Sequence, residues 1–258
     1  MEHCCEGEFA VLATSIDKMV QRMLEQQSIL QKEKVFLADS MADISHQMKT
    51  PLTSISLLLN LLQEEHLSEK KRLQYVQDLM KLTGRIDWMV YALLRLAKLD
   101  AGTVQLQQVP YQIEDLIKAA VTPLEIALDI RDITLEVQMQ PDLQHRGDIS
   151  WMTEAVSNIL KNCMEHTPSG GHIRIVTKDN PLYLLIKITD SGSGFTKQDL
   201  PHIFERFYRG QNADTDSVGI GLALAKRIII AQNGTIRAYN HKKDGGAVFE
   251  IRMYKGAV

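Results

Sequence analysis

The stretch Ser45-His46-Gln47-Met48-Lys49-Thr50-Pro51-Leu52 sets an imidazole four residues before a hydroxyl. On a helix that spacing puts both on one side, one turn apart. A neutral imidazole is a nucleophile and can accept a phosphoryl group. A solvent-facing histidine beside a proline kink is the alternative that this stretch by itself leaves open. Further on, Glu154, Asn158, Asn162 and His166 recur every fourth residue as one polar stripe. Two asparagines one turn apart suit a hydrated Mg²⁺ and its phosphates, because an amide oxygen coordinates without adding charge, and Lys161 can neutralise a phosphate oxygen. In Asp190-Ser191-Gly192-Ser193-Gly194 a carboxylate at the end of an extended run meets a glycine turn. It can accept a hydrogen bond from a base amino group while Gly192 and Gly194 allow close backbone approach. In Ser217-Val218-Gly219-Ile220-Gly221-Leu222 the glycines open a helix whose free N–H groups suit phosphate oxygens.

These residues need elements to hold them. Stepping by three and four from Ala13 through Ile16, Val20, Met23, Leu30, Leu37, Met41, Ile44, Met48, Pro51, Ile55 and Leu58 to Leu62 meets polar residues only at Gln27 and Lys34. A 3.5-residue repeat of that length predicts a supercoiled seam. Ser68 is the expected N-cap of a second helix, where the stepping resumes through Tyr75, Leu79, Leu82, Ile86, Met89, Leu93 and Leu96. Two hairpins packed as a four-helix bundle bury such stripes well, so a homodimer is expected. With Met41 and Met48 at a positions, His46 falls at f, on the outer face. Pro51 removes a backbone hydrogen bond and predicts a bend below His46. Asp100-Ala101-Gly102 ends the helical run with a C-capping glycine.

The second half changes texture. A helical pattern from Tyr111 to Asp132 precedes a strand over 133–137, a helix over 149–165, and strands over 173–176 and 183–189. After a loop-rich section come a helix over 219–232 and strands over 235–239 and 247–253. Helices and strands mix without a strict βαβ repeat, which predicts an α+β sandwich. The expected fold class is thus a helical hairpin forming a dimeric four-helix bundle, followed by an α/β sandwich. The expected domains are a signalling coiled coil over 1–33, the hairpin over 34–101, a linker over 102–110 and the sandwich over 111–258.

Composition narrows the classes. A formal charge of −3 over 258 residues gives no push toward nucleic acid. Three cysteines, Cys4, Cys5 and Cys163, make neither a disulfide framework nor a zinc site, which favours a reducing cytosol. No apolar run approaches the ~20 residues of a membrane span. The expectation is a cytoplasmic chain, with a membrane tether in a longer parent left open.

Taken together, the motifs resemble those of the sensor histidine kinases of two-component signalling, from about Lys34 to Tyr254. Ser45 to Leu52 is similar to the family's phosphoacceptor box, Asn158 to His166 to its N box, and Asp190 to Gly194 to its first glycine box. Phe204-Glu205-Arg206-Phe207 is similar to its F box, Gly219-Ile220-Gly221-Leu222 to its second glycine box, and Asn233-Gly234-Thr235 to the turn closing the nucleotide-facing helix. The resemblance implies ATP and Mg²⁺ as cofactors, with Asn162 the metal ligand and Asn158, Lys161, His166, Asp190, Gly192, Gly194, Phe204, Arg206, Phe207, Gly219, Gly221 and Leu222 around the nucleotide. It implies His46 as phosphoacceptor, an aspartate of a response regulator as the next acceptor, and Thr50 as holder of a water in regulator dephosphorylation. Related hydrolases of the gyrase and Hsp90 type carry a glutamate where this chain has Asn158, which cannot act as a base. The segment from Tyr208 to Val218 is the expected lid. Gln47 departs from the family, which usually has an acidic residue there; a glutamine can orient the imidazole but cannot take its proton. Two other readings follow: a degenerate ATP-binding sensor or scaffold with little autokinase activity, motivated by Gln47, and a stand-alone ATPase or DNA-repair relative, opposed by the hairpin, His46 and Asn158.

Overall fold

The computed structural model describes residues 3–64, 66–210, 218–241 and 245–255. The chain divides into two compact units, residues 1–75 and 76–258. In the first, helix α1 (His3–Leu62) runs without interruption through Pro51, so the proline does not end the helix. The seam reading holds over its C-terminal half: Ile44, Met48, Ile55, Leu58 and Leu62 are half-buried and Pro51 is buried, whereas His46 and Thr50 are exposed. Farther up, Ile16, Val20, Met23, Leu30 and Met41 stay exposed in the single chain. The side chains of Ala13, Lys34 and Leu37, also read as part of that stepping, lie outside those described. The carbonyl of Ser68 accepts from the Arg72 N–H at 3.0 Å, as an N-cap carbonyl does, and α2 (Glu69–Asp100) begins there.

The second unit holds the rest of α2 and a sheet covered by helices. α2 closes on Gly102, whose φ is +62°. Gly102 N–H donates to Leu99 and Thr103 N–H to Lys98, both at 3.2 Å, the paired bonds of a Schellman end. The extended linker expected over 102–110 runs into a strand at its end. Val109–Gln112 is a strand, β1, paired antiparallel with another short strand, Gln144–Gly147. The single helical pattern over 111–132 also divides, into α3 (Ile113–Val121), a 3₁₀ turn (Thr122–Leu124) and α4 (Glu125–Ile130). Pro123 sits in the first turn of the 3₁₀ segment, where its missing N–H interrupts the ladder least.

In chain order the strands after β1 are β2 (Thr134–Gln138), β3 (Gln144–Gly147), β4 (His172–Asp179), β5 (Tyr183–Asp190), β6 (Gly234–Asn240) and β7 (Ala247–Tyr254), with α5 (Ile149–His166) before β4 and α6 (Gly221–Ala231) before β6. Five of them form one mixed sheet in the order β2-β4-β5-β7-β6; β2 joins β4 parallel and the other pairs are antiparallel. β5 buries every second residue, the pattern of a strand with one face on the core. Ile173, Ile175, Leu184, Ile186, Ile188, Phe249 and Ile251 meet Met152, Val156, Ile159, Leu160, Leu224 and Ile228 from α5 and α6 in that core. The Asp148 side chain caps α5, accepting from the N–H groups of Ser150 and Trp151 at 3.1 and 3.2 Å. Buried Gln232 accepts from Asp148 N–H at 2.7 Å and so ties the end of α6 to the start of α5. Asn233, next in line, takes a left-handed φ of +57°, which turns the chain out of α6 into β6.

Candidate functional site

In the first unit, His46 is exposed on α1 and Gln47 is half-buried. The Thr50 hydroxyl donates to the His46 carbonyl, four residues back, at 3.4 Å. Ser45, Thr53, Ser54 and Ser56 do the same to their own i−4 carbonyls. Such bonds occupy a hydroxyl proton inside the helix and leave the oxygen's lone pairs outward.

In the second unit, α5, the loops after β5 and the start of α6 surround a cavity of about 420 Å³. Asn158, Lys161, Asn162 and His166 reach it from α5, Asp190 and Gly194 from the end of β5, and Gly219, Gly221 and Leu222 from the turn that opens α6. The sequence stripe is one member shorter than expected: Glu154 turns instead to α2, where the Arg95 guanidinium lies at 3.4 Å. Burial raises the Glu154 carboxyl, and Arg95 and the Tyr91 hydroxyl work against that shift.

Asp190 is buried at 3% exposure because backbone supplies its partners. One carboxylate oxygen accepts from Gly192 N–H at 2.9 Å and from Ala247 N–H at 3.0 Å. Fully buried Cys163 feels this charge: burial first, then the Asp190 carboxylate, pushes its thiol well above the usual range, so the thiol stays protonated and unreactive. A Cβ on Gly192 would collide with the His166 carbonyl, so the residue must be glycine; Gly219 combines φ +74° with a Cβ position 2.5 Å from the Tyr208 carbonyl. A Cβ on Gly221 would come within 3.4 Å of the Asn158 amide oxygen. That approach sets the first asparagine of α5 against the N-terminal turn of α6, whose orphan N–H groups attract phosphate.

The F-box residues play a different part from the rest. Phe204, Arg206 and Phe207 are not among the lining residues, and neither is Gly192. Phe204 stacks edge-on against Phe249, with centroids 6.5 Å apart, under the Lys226 ammonium. Phe207 holds a left-handed φ of +62° and donates its N–H to the Gly219 carbonyl at 2.8 Å. Arg206 pairs with Asp100. The box therefore buttresses the glycine turn. Of the expected lid, 211–217 lie outside the described residues. At its start the Tyr208 hydroxyl donates to the buried Asp199 carboxylate at 2.7 Å, and this bond raises the phenol. Sequence reasoning placed Tyr208 and Arg209 only within the expected lid and missed Asp199 and, on α2, Lys81, Arg85 and Trp88, all of which line the cavity. The aromatic Trp88 on the helix opposite a phosphate-binding pattern was the available signal.

A phosphoacceptor helix and a pocket built from paired asparagines, a buried aspartate and two glycine turns define a class: a histidine kinase core with an ATP-binding domain of the gyrase and Hsp90 type. Two family models match accordingly, the His Kinase A (phospho-acceptor) domain over residues 37–102 and the histidine kinase-, DNA gyrase B-, and HSP90-like ATPase over residues 147–256. The chain belongs to the sensor histidine kinases of two-component signal transduction. It is similar to the heme sensor protein HssS of Staphylococcus saprophyticus, 29% identical over 97% of this chain and 52% of that protein. It is also similar to the sensor protein SphS of Synechococcus elongatus, 32% identical over 82% of this chain and 53% of that protein. The chain thus spans about half the length of these relatives. Among solved structures, histidine kinase ThkA in complex with response regulator protein TrrA shares the fold over 87% of this chain and 64% of that one, with a TM-score of 0.71 at 18% identity. The Acinetobacter baumannii histidine kinase AdeS does so over 82% of this chain and 98% of that one, with a TM-score of 0.66 at 19% identity. No helix among the described residues is long and apolar enough to cross a membrane.

Proposed function

We propose that this chain is an autokinase that moves the γ-phosphoryl group of ATP to His46 and then to an aspartate of a response regulator. The observation that carries the reading is Asn158 set against Gly221 at the phosphate end of the cavity. An amide there can orient a phosphate or a hydrated ion but cannot deprotonate water, so hydrolysis is slow and the phosphoryl group awaits a better nucleophile. Asn162, also facing the cavity, would hold Mg²⁺ by its neutral oxygen, and the ion would offset the negative charge of the phosphates. Asp190 reads the base amino group, and Lys161 and the α6 turn receive phosphate oxygens.

In the transfer, one neutral ring nitrogen of His46 attacks the γ-phosphorus in line. An N–P bond forms, the P–O bond to the β-phosphate breaks, and ADP leaves with the electron pair. The imidazole proton goes to water, because Gln47 has no basic site for it. The amide oxygen of Gln47 can still accept from the other ring N–H and fix the tautomer. Thr50, with its lone pairs outward, suits a water that attacks the phosphorylated regulator. The active form is a homodimer, supported by the apolar positions that a single chain leaves open along α1 and α2, and its setting is the cytoplasmic side of a membrane sensor.

Gln47 supports a second reading, in which the chain binds ATP and a partner but transfers little phosphate. Incubation with γ-labelled ATP and Mg²⁺ separates the two. Acid-labile label that His46→Gln abolishes supports the autokinase; ATP binding without label supports the scaffold.

A further inference from the structure

One wall of the nucleotide cavity comes from outside the ATP-binding domain as the family model bounds it. Lys81, Leu82, Gly84, Arg85 and Trp88, all on α2, line it together with the α5 and α6 residues. Among the described residues the lining holds four lysines and arginines, of which Lys81 and Arg85 belong to this wall and Lys161 and Arg209 do not. The described lining also holds three acids, Glu165, Asp190 and Asp199, so its cations keep only a small excess over them; Asp190 is held by two backbone N–H groups and Asp199 by the Tyr208 hydroxyl. Trp88 carries the Lys161 ammonium 5.5 Å from its ring centroid, so the indole also fixes where a phosphate-neutralising cation stands.

Two clasps hold α2 in this place, both remote from the cavity lining. In the first, the Arg95 guanidinium lies 3.8 Å from the ring centroid of Trp151, 3.4 Å from the Glu154 carboxylate and 2.9 Å from the Tyr91 hydroxyl. In the second, Asp100 at the end of α2 pairs with Arg227 at 2.8 Å and with Arg206, and Arg227 also reaches the Leu99 carbonyl. Arg227 lies on α6, the helix that the glycine turn opens, and Arg206 in the box that buttresses that turn.

We propose that α2 completes the nucleotide site, with Arg85 as a phosphate-facing binding residue and Trp88 as its aromatic wall, and that Arg95 and Asp100 are positioning residues that keep this wall in place. The proposal rests on the reading of the cavity as an ATP site. It makes nucleotide affinity and docking of α2 reciprocal: whatever loosens the clasps weakens ATP binding, and ATP tightens the clasps by the same factor.

The chain has two tryptophans, Trp88 and Trp151, so the full-length Trp151→Phe protein makes Trp88 the sole indole reporter while a ring stays under Arg95. Titrating it with MgATP should change Trp88 emission in proportion to nucleotide bound. Calorimetric titration of Arg85→Ala should show MgATP affinity lower by about tenfold or more, as expected for one charge-assisted contact. Adenosine, which has no phosphates, should bind as before, and Arg85→Lys should recover part of the loss. Asp100→Asn, outside the lining, should weaken MgATP by several-fold and leave the lining side chains intact. Unchanged MgATP affinity in Arg85→Ala, equal losses for MgATP and adenosine, or saturating MgATP with no change in Trp88 emission would each overturn the proposal. Absence of MgATP binding by the unaltered chain would instead remove the ATP reading itself.

Discussion

At His46 the chemistry depends on a neighbour. Gln47 can align the imidazole but cannot take its proton, and a general base in such a position typically contributes ~10²–10⁴-fold. Gln47→Glu is therefore expected to raise the autophosphorylation rate at neutral pH, measured from initial rates with γ-labelled ATP; an unchanged or lower rate would show that proton removal does not limit transfer. The outward position of His46 was legible in the amino-acid sequence, because a 3.5-residue repeat assigns faces by counting, and Ile44 and Met48 do turn inward while His46 turns out. Asp190 and the glycines were legible for the same local reason, each being demanded by its own turn. The contact of Gly221 with Asn158 was not, since the two lie on different helices far apart in the chain and no local pattern encodes the approach. Phe204, Arg206 and Phe207 were found as a motif, but their work, Phe204 packing on Phe249, Arg206 pairing with Asp100 and Phe207 bonding to the glycine turn, depends on contacts that a motif does not display.

Among the elements, those with a long period were read well and those with a short one poorly. β1 and β3, four residues each, are too brief and too polar to show alternation, and Pro110 argues against a strand unless that strand lies at an edge. β3 still contributes a titratable core group. His145 is buried edge-on to Tyr111, with ring centroids 6.0 Å apart. Burial first, and then the nearby Lys255 charge, lowers its imidazole below the ordinary 6.5. The unfolded chain therefore binds the proton more readily, so this group's contribution to stability is full above about pH 6.5 and is lost as the pH falls below it. The urea midpoint should drop between pH 7.5 and 5.5, and His145→Gln should flatten that drop; an equal drop in both proteins would assign it to other groups. The end of α2 gives a cleaner number. A Cβ on Gly102 meets nothing within 4 Å, but φ is +62°, so Gly102→Ala should cost about 1 kcal/mol of stability from backbone conformation alone, read from denaturant midpoints.

For the molecule as a whole, compactness and domain family divide the chain differently. The phosphoacceptor model runs over residues 37–102, yet the second compact unit begins at Val76. The difference is made by α2, whose Arg95, Leu99 and Asp100 bond to α5, α6 and the F box. Periodicity could assign α2 to a hairpin, but it had no means of showing a second set of partners along the same helix. Met41 and Leu57 on α1 and Leu73 and Met80 on α2 are 62%, 59%, 61% and 70% exposed, and the homodimer proposed above would cover such side chains in a four-helix bundle. Sedimentation at micromolar concentration should give about twice the 29.2 kDa of one chain, and a single-chain mass at all concentrations would remove the bundle.

The central claim is that His46 receives the γ-phosphoryl group. Incubating the chain with MgATP, digesting it at neutral to alkaline pH and mapping the phosphorylated peptide by tandem mass spectrometry addresses that claim directly. The expected result is a phosphoryl group on the ring of His46, in the peptide that also holds Gln47, and its disappearance after mild acid. A phosphoryl group mapped to any other residue, or ATP turned over to ADP and free phosphate with none retained on the chain, would contradict it.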